Sequence, residues 1–130
     1  MDNLYHSNFN FRLQNAKQIY TDEEKGMLTP AALVDINGDS VKDIVIATFN
    51  SKVLAFDGSN YKSIWNVTFD KSESYSTIAV GYYDEDNIPD FLVKYQYGKG
   101  FPVYEYEKTV VLSGRDGSKI SKALTDSIGK

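Results

Sequence analysis

The sequence contains no cysteine and a single histidine, His6. Without cysteine there is no disulfide framework, no thiol nucleophile and no thiolate zinc site. That absence leaves the compartment open, because an extracellular domain with a good core needs no disulfides. His6 sits in a polar terminal stretch and reads as solvated. Basic excess is missing too: the net charge is −4 and no basic patch interrupts it, which argues against a nucleic-acid surface. No apolar run approaches the length of a membrane span. The first residues, Met1 to His6, are polar and lack the apolar core of a signal peptide. Any targeting or anchoring segment is therefore expected outside this chain. Nucleophile elbow, phosphate loop and dinucleotide fingerprint are all missing.

What is present is ordinary globular material with an aromatic bias. An apolar fraction of 42% and a charged fraction of 25% argue against wholesale disorder. At 130 residues a single domain with its own core is expected. Ten tyrosines and seven phenylalanines favour strands.

Residues 1–28 form an N-terminal segment with one expected strand. There Phe9, Phe11 and Leu13 alternate with Asn10 and Arg12. Asp22-Glu23-Glu24-Lys25-Gly26 reads as a solvated loop, with a cation site as the sharper and less favoured reading. From Thr29 the signals become regular. Strands are predicted over Ala31–Val34, Asp43–Phe49, Val53–Phe56 and Ser63–Phe69, the last with the only tryptophan, Trp65. Asn50-Ser51-Lys52 and Asp57-Gly58-Ser59-Asn60 read as turns, the second because Asp-Gly supplies positive φ. Four short antiparallel strands in about forty residues match one propeller blade.

The pattern repeats. Setting Ala32 on Ala79 brings Asn37 onto Asp84, Asp39 onto Asp86, Val41 onto Ile88 and Asp43 onto Asp90. Ile44-Val45-Ile46 falls on Phe91-Leu92-Val93, and Asp57-Gly58-Ser59 recurs as Asp116-Gly117-Ser118. The larger displacement of that turn places an insertion at 97–107. The expected fold is all-β: two consecutive four-stranded antiparallel blades of a β-propeller, over 29–70 and 71–130. Propellers typically close with four to eight blades. The expectation is thus a partial propeller and a fragment of a longer protein, with self-assembly as the alternative.

Asp35-Ile36-Asn37-Gly38-Asp39-Ser40-Val41-Lys42-Asp43 carries the chemistry. Calcium takes six to eight hard oxygen ligands, and short Asp and Asn side chains on alternate loop residues supply them. Asp35, Asn37, Asp39 and Asp43 would give side-chain oxygens and Val41 its carbonyl, while Gly38 permits the sharp turn. Like charges 4 Å apart cost about 4 kcal/mol at an effective dielectric of 20, and a divalent ion turns that repulsion into a stabilising contact. An EF-hand would need a bidentate Glu where Ile46 stands. Magnesium keeps more waters, and an ion-free acidic turn is the bland alternative. In the second loop Asp84, Asp86 and Asp90 keep three ligand positions. Tyr82 replaces the first, however, and Pro89 stiffens the turn, so a degenerate loop held by hydrogen bonds is favoured over a metal site.

Other signals are weaker. Glu105 and Glu107 flank Tyr106 and suggest an acid/base pair, though alternating strand residues explain them more simply. Tyr95, Tyr97, Phe101, Tyr104 and Tyr106 gather around the insertion, as a binding patch or as burial between blades. Asn66-Val67-Thr68 satisfies the glycosylation sequon.

The Asp35–Asp43 loop between its strands resembles the FG-GAP repeats of the integrin α-subunit propeller. Three further stretches are similar to the integrin-alpha FG-GAP repeat-containing family of single-pass, type II membrane proteins. They are Glu73-Ser74-Tyr75, the run Asp86 to Gly98 and Gly100-Phe101-Pro102-Val103-Tyr104; the closing Asp126-Ser127-Ile128-Gly129 is similar as well. The resemblance covers residues 29–130. It implies a non-enzymatic, calcium-stabilised propeller outside the membrane or in a lumen, tethered by a segment outside this chain and meeting a protein ligand or co-receptor at the cell surface. It does not carry calcium over to the second loop, where Tyr82 departs from the pattern. Two alternatives remain: a propeller serving an enzyme, such as a polysaccharide lyase or quinoprotein-like dehydrogenase, or a bacterial-type adhesin module.

Overall fold

The computed structural model describes residues 16–27, 29–74, 76–99, 103–120 and 124–127. His6 and the strand expected around Phe9 to Leu13 lie outside them, as does Phe101. Among the described residues there is no helix and there are nine strands. They are β1 (Ala32–Val34), β2 (Asp43–Ala47), β3 (Lys52–Phe56), β4 (Ser63–Thr68), β5 (Ser72–Glu73), β6 (Ala79–Gly81), β7 (Asp90–Tyr97), β8 (Tyr106–Leu112) and β9 (Leu124–Ser127). The first four form one antiparallel sheet in chain order. In the second sheet β7, β8 and β9 follow in order, and one edge of β7 is shared by β6 and β5. Both sheets are thus four strands wide, as two consecutive propeller blades require. The two-residue β5 has no counterpart in the sequence-based reading.

The strands end where side chains capture the backbone. β2 stops at Ala47 because Thr48 closes a turn: its N–H donates to the Lys52 carbonyl and its hydroxyl accepts from the Lys52 N–H. The turn after β3 behaves differently from the Asp-Gly expectation. Its positive φ belongs to Tyr61, at 62°, and not to Gly58. Gly58 is required for another reason: a Cβ there would run into the Lys42 carbonyl oxygen.

The same steric condition identifies the true repeat of that turn. A Cβ on Gly114 would run into the carbonyl oxygen of Pro89, the residue aligned with Lys42. Asp57 N–H donates to Lys62 O and Tyr61 N–H to Asp57 O; Ser113 N–H donates to Ser118 O and Gly117 N–H to Ser113 O. Gly58 therefore corresponds to Gly114, and Tyr61 to Gly117, whose φ is 74°. The second Asp-Gly-Ser, at 116–118, is a coincidence of turn chemistry three residues out of register. Pairing agrees. Ile44 faces Phe56, twelve residues on, while its counterpart Phe91 faces Leu112, twenty-one residues on. The nine extra residues lengthen the β7–β8 hairpin, which runs on to the Tyr97–Tyr106 pair.

Alternation along strands sends Val45, Ala47, Val53, Ala55 and Trp65 to one face of the first sheet. They pack with Phe91, Val93, Tyr95, Val110 and Leu112 of the second. Because Phe91 aligns with Ile44, the front of one sheet lies on the back of the next, the stacking of successive blades. Trp65 is the central contact. Its ring lies 6.1 Å from that of Phe91, and its Nε1–H donates to Gly114 O at 2.8 Å. Phe69 stacks on Tyr95 at 4.3 Å. Burying each such side chain contributes roughly 1.5–3 kcal/mol.

The opposite face of the first sheet carries Ile44, Ile46, Leu54 and Phe56, and residues 16–27 run along it. Tyr20 meets Phe56 at 6.2 Å, above a cavity of about 450 Å³ lined in part by Ile19, Met27, Ile44 and Ile46. Asp22 fixes this strap. It accepts the N–H groups of Glu24 and Lys25 at 2.9 and 3.0 Å and the Tyr20 hydroxyl at 3.0 Å, with Lys52 3.5 Å away. The acidic stretch Asp22–Glu24 is accordingly a structured turn. The Lys25 N–H, followed by that of Glu24, holds the Asp22 carboxyl well below its ordinary range. A carboxylate depressed by folding stabilises above its unfolded pKa of about 3.9 and loses that contribution as pH falls through the folded value. Thermal melts between about pH 2 and pH 6 should therefore show Asp22→Asn losing less stability on acidification than the parent chain. Parallel curves would refute that role.

Candidate metal centre

Both aspartate loops fold on one frame. In the first, Asn37 Oδ1 accepts the Asp39 N–H at 3.0 Å and Asp39 Oδ1 the Val41 N–H at 2.8 Å. In the second, Asp84 Oδ1 accepts the Asp86 N–H at 3.0 Å and Asp86 Oδ1 the Ile88 N–H at 2.9 Å. Positive φ recurs at aligned positions, 69° at Ser40 and 60° at Asn87. These are short side chains bonding the backbone two residues on, the habit that makes Asp and Asn loop formers.

The ninth-position aspartates are pins. Asp43 and Asp90 are both fully buried. Asp43 Oδ2 accepts the Ile36 N–H at 2.8 Å and Oδ1 the Gly58 N–H at 2.9 Å. Asp90 Oδ2 accepts from Tyr83 and Asp84 at 2.8 and 3.2 Å, and Oδ1 from Gly114 at 3.1 Å. Each carboxylate ties the start of its loop to the turn after the third strand of its unit. The two glycines approach so closely because this bond needs their N–H.

At the first position the loops diverge. Asp35 accepts the Gly38 N–H at 2.7 Å and the Ser40 N–H at 2.8 Å, which lets Gly38 turn at φ 81°. The Ser40 amide leads the groups that hold the Asp35 carboxyl below its ordinary value. Tyr82 takes that place in the second loop and is exposed. Of the residues predicted as ligands, Asn37, Asp39 and Val41 stand at the surface, Asp35 is half-buried and Asp43 is enclosed.

The second loop draws its carboxylates closer than the sequence suggests. Among the described residues, the group whose oxygens all lie within 4.8 Å of one another is Asp84, Asp86 and Asp90, an arrangement able to hold a metal ion. The Asp86 N–H pulls the Asp84 carboxyl down. A hydrogen bond shared with the Asp86 side chain, burial, and the charges of Asp90 and Asp86 outweigh it and raise Asp84 above its ordinary value. Asp86 is lowered, chiefly by the Ile88 N–H. Arg115, which sequence reasoning passed over, places its Nε 3.3 Å from Asp86 Oδ2. Its proximity depends on the corrected register of the turn, in which Arg115 corresponds to Ser59.

The remaining candidates lie away from both loops. Glu107 pairs with Lys94 at 2.6 Å and accepts from Gln96 at 3.3 Å, and the Lys94 contact leads in lowering its carboxyl. Glu105 pairs with Lys99 at 3.4 Å. Tyr95 is buried between the sheets, whereas Tyr97 stacks on Tyr106 at 5.2 Å with Lys108 Nζ 4.7 Å from the Tyr97 ring centre. A cleft of about 410 Å³ beneath this hairpin is lined by Lys25, Lys52, Asp70, Glu73 and Tyr97 among others, and involves neither loop. Asn66 is exposed on β4.

Residues 35–93 match the family described as an FG-GAP-like repeat. The match runs from Asp35 at the start of the first loop, through the second loop, into β7. The chain thus carries an FG-GAP-like repeat on two propeller-type sheets. Searches of curated proteins and of solved structures find no match.

Proposed function

We propose that the chain is a non-enzymatic, calcium-stabilised portion of a β-propeller that mediates protein interaction outside the cell or in a lumen, anchored to a membrane through a segment outside this chain. The observation that carries the reading is the FG-GAP-like match over two loops of one frame. Among the described residues no helix is long and apolar enough to cross a membrane. A protein ligand or co-receptor at the cell surface is the proposed partner, and the exposed Asn66 is the proposed glycan acceptor. Engagement of Glu105 and Glu107 in ion pairs supports a non-enzymatic role.

The residues of the first loop fit a hard cation. Asp35 accepts two backbone N–H groups and Asn37 and Asp39 one each, which fixes their oxygens without exhausting the oxygen lone pairs. Asp35, Asn37 and Asp39 would hold the ion, with the Val41 carbonyl and Asp43 completing the set. Calcium would neutralise the loop's negative charge; the polypeptide orients the oxygens through its own amides.

A ligand bound only by the folded state at a hundredfold excess over its Kd stabilises by about 2.7 kcal/mol. The melting temperature of the full chain is expected to rise in calcium relative to chelator, and Asp39→Ala, at an exposed position, to abolish the rise. Identical melting in the two buffers would sink the calcium assignment.

A further inference from the structure

The two loops share a frame but not a charge balance. In the second, three carboxylates gather, and Tyr82 contributes none. Arg115 reaches this gathering with Nε 3.3 Å from Asp86 Oδ2. The other oxygen, Oδ1, is already held by the Ile88 N–H, as Asp39 Oδ1 is held by the Val41 N–H. Arg115 thus contacts the fifth-position oxygen that does not accept the Ile88 N–H. Ser59, its counterpart in the first unit, carries no charge and bonds to Asp57 instead.

We propose that Arg115 is the second loop's built-in cation, standing in for a divalent ion so that this loop keeps its shape without metal. The proposal rests on the reading of these loops as cation loops. A guanidinium stays charged at any relevant pH and matches carboxylate geometry. The Asp86 side chain is 20% exposed, so the pair sits at the margin of the solvent, with the Arg115 arm outside at 62%. A unit positive charge about 5 Å from a divalent ion in a water-like dielectric weakens its binding roughly tenfold. One charged residue thus lowers the second loop's calcium affinity by about that factor relative to the same loop without it.

The test compares Asp39→Ala with Asp39→Ala/Arg115→Gln in the full 130-residue chain. Calcium chloride is titrated calorimetrically, and melting is followed in calcium and in chelator. Asp39→Ala removes a ligand oxygen of the first loop, so the difference between the two proteins reports the second. Removing Arg115 should tighten residual calcium binding roughly tenfold. It should also lower the melting temperature in chelator, with calcium restoring it. Equal affinity and equal melting in the two proteins would overturn the proposal. The parent chain separates the readings. If it responds to calcium and Asp39→Ala does not, the first-loop assignment stands whatever Arg115 does. If calcium stabilises only proteins lacking Arg115, the first-loop assignment fails and this one survives.

Discussion

Trp65→Ala is expected to cost about 3–5 kcal/mol, the range for removing a large aromatic from a packed core. The Gly114 carbonyl would in addition lose the indole N–H that meets it at 2.8 Å, worth about 1 kcal/mol. Domains of this size are stable by only about 5–15 kcal/mol, so the variant should sit near the edge of unfolding. The loss arises between the sheets, because Trp65 touches Phe91 and lies beneath Gly117. Urea denaturation followed by far-UV circular dichroism measures it. Trp65→Phe, which keeps a ring and surrenders the hydrogen bond, should lose much less. Equal losses in both variants would show that the hydrogen bond, and not the packing, holds the sheets together. As the only tryptophan, Trp65 is also a fluorescence probe of this interface in the parent chain.

Asp43→Ala and Asp90→Ala should be nearly as damaging, and the damage should persist in chelator. Asp43 holds two backbone N–H groups and Asp90 three. Each buried donor left without an acceptor costs about 1–3 kcal/mol. Both variants should therefore melt well below the parent even in chelator, where Asp39→Ala should match it. That contrast separates an aspartate that pins the loop from one that faces the solvent. If Asp43→Ala melted with the parent in chelator, the pinning role would be lost.

The sequence carried the strands and the loops well, because both depend on local chemistry. Alternation placed β2, β3 and β4 to within two residues, and the spacing of Asp35, Asn37 and Asp39 marked a loop whose side chains bond two residues onward. What escaped depends on contacts between distant segments. Gly58 and Gly114 correspond through carbonyls they nearly touch, fifteen and more residues back, and no local word encodes that. Asp-Gly-Ser at 116–118 resembled its predecessor because turns reuse a small vocabulary. Register slipped with it, and Arg115 was hidden from the second loop. Asp43 and Asp90 share one letter with the other loop aspartates, but folding encloses them while Asp39 stays outside.

The second sheet has a consequence for selectivity. Where the first sheet presents Ala47 and Val53 to its neighbour, the aligned strand positions of the second hold Lys94 and Thr109, and Lys94 is joined to Glu107 across the hairpin. An apolar face accepts any surface of suitable shape. A face with an ion pair accepts only one that supplies matching partners, since uncompensated burial of charges costs several kcal/mol. Two copies of this chain brought face to back would meet that penalty, so the ion pair discourages indiscriminate stacking. The lengthened hairpin acts in this respect as a lock on which sheet can lie next to which.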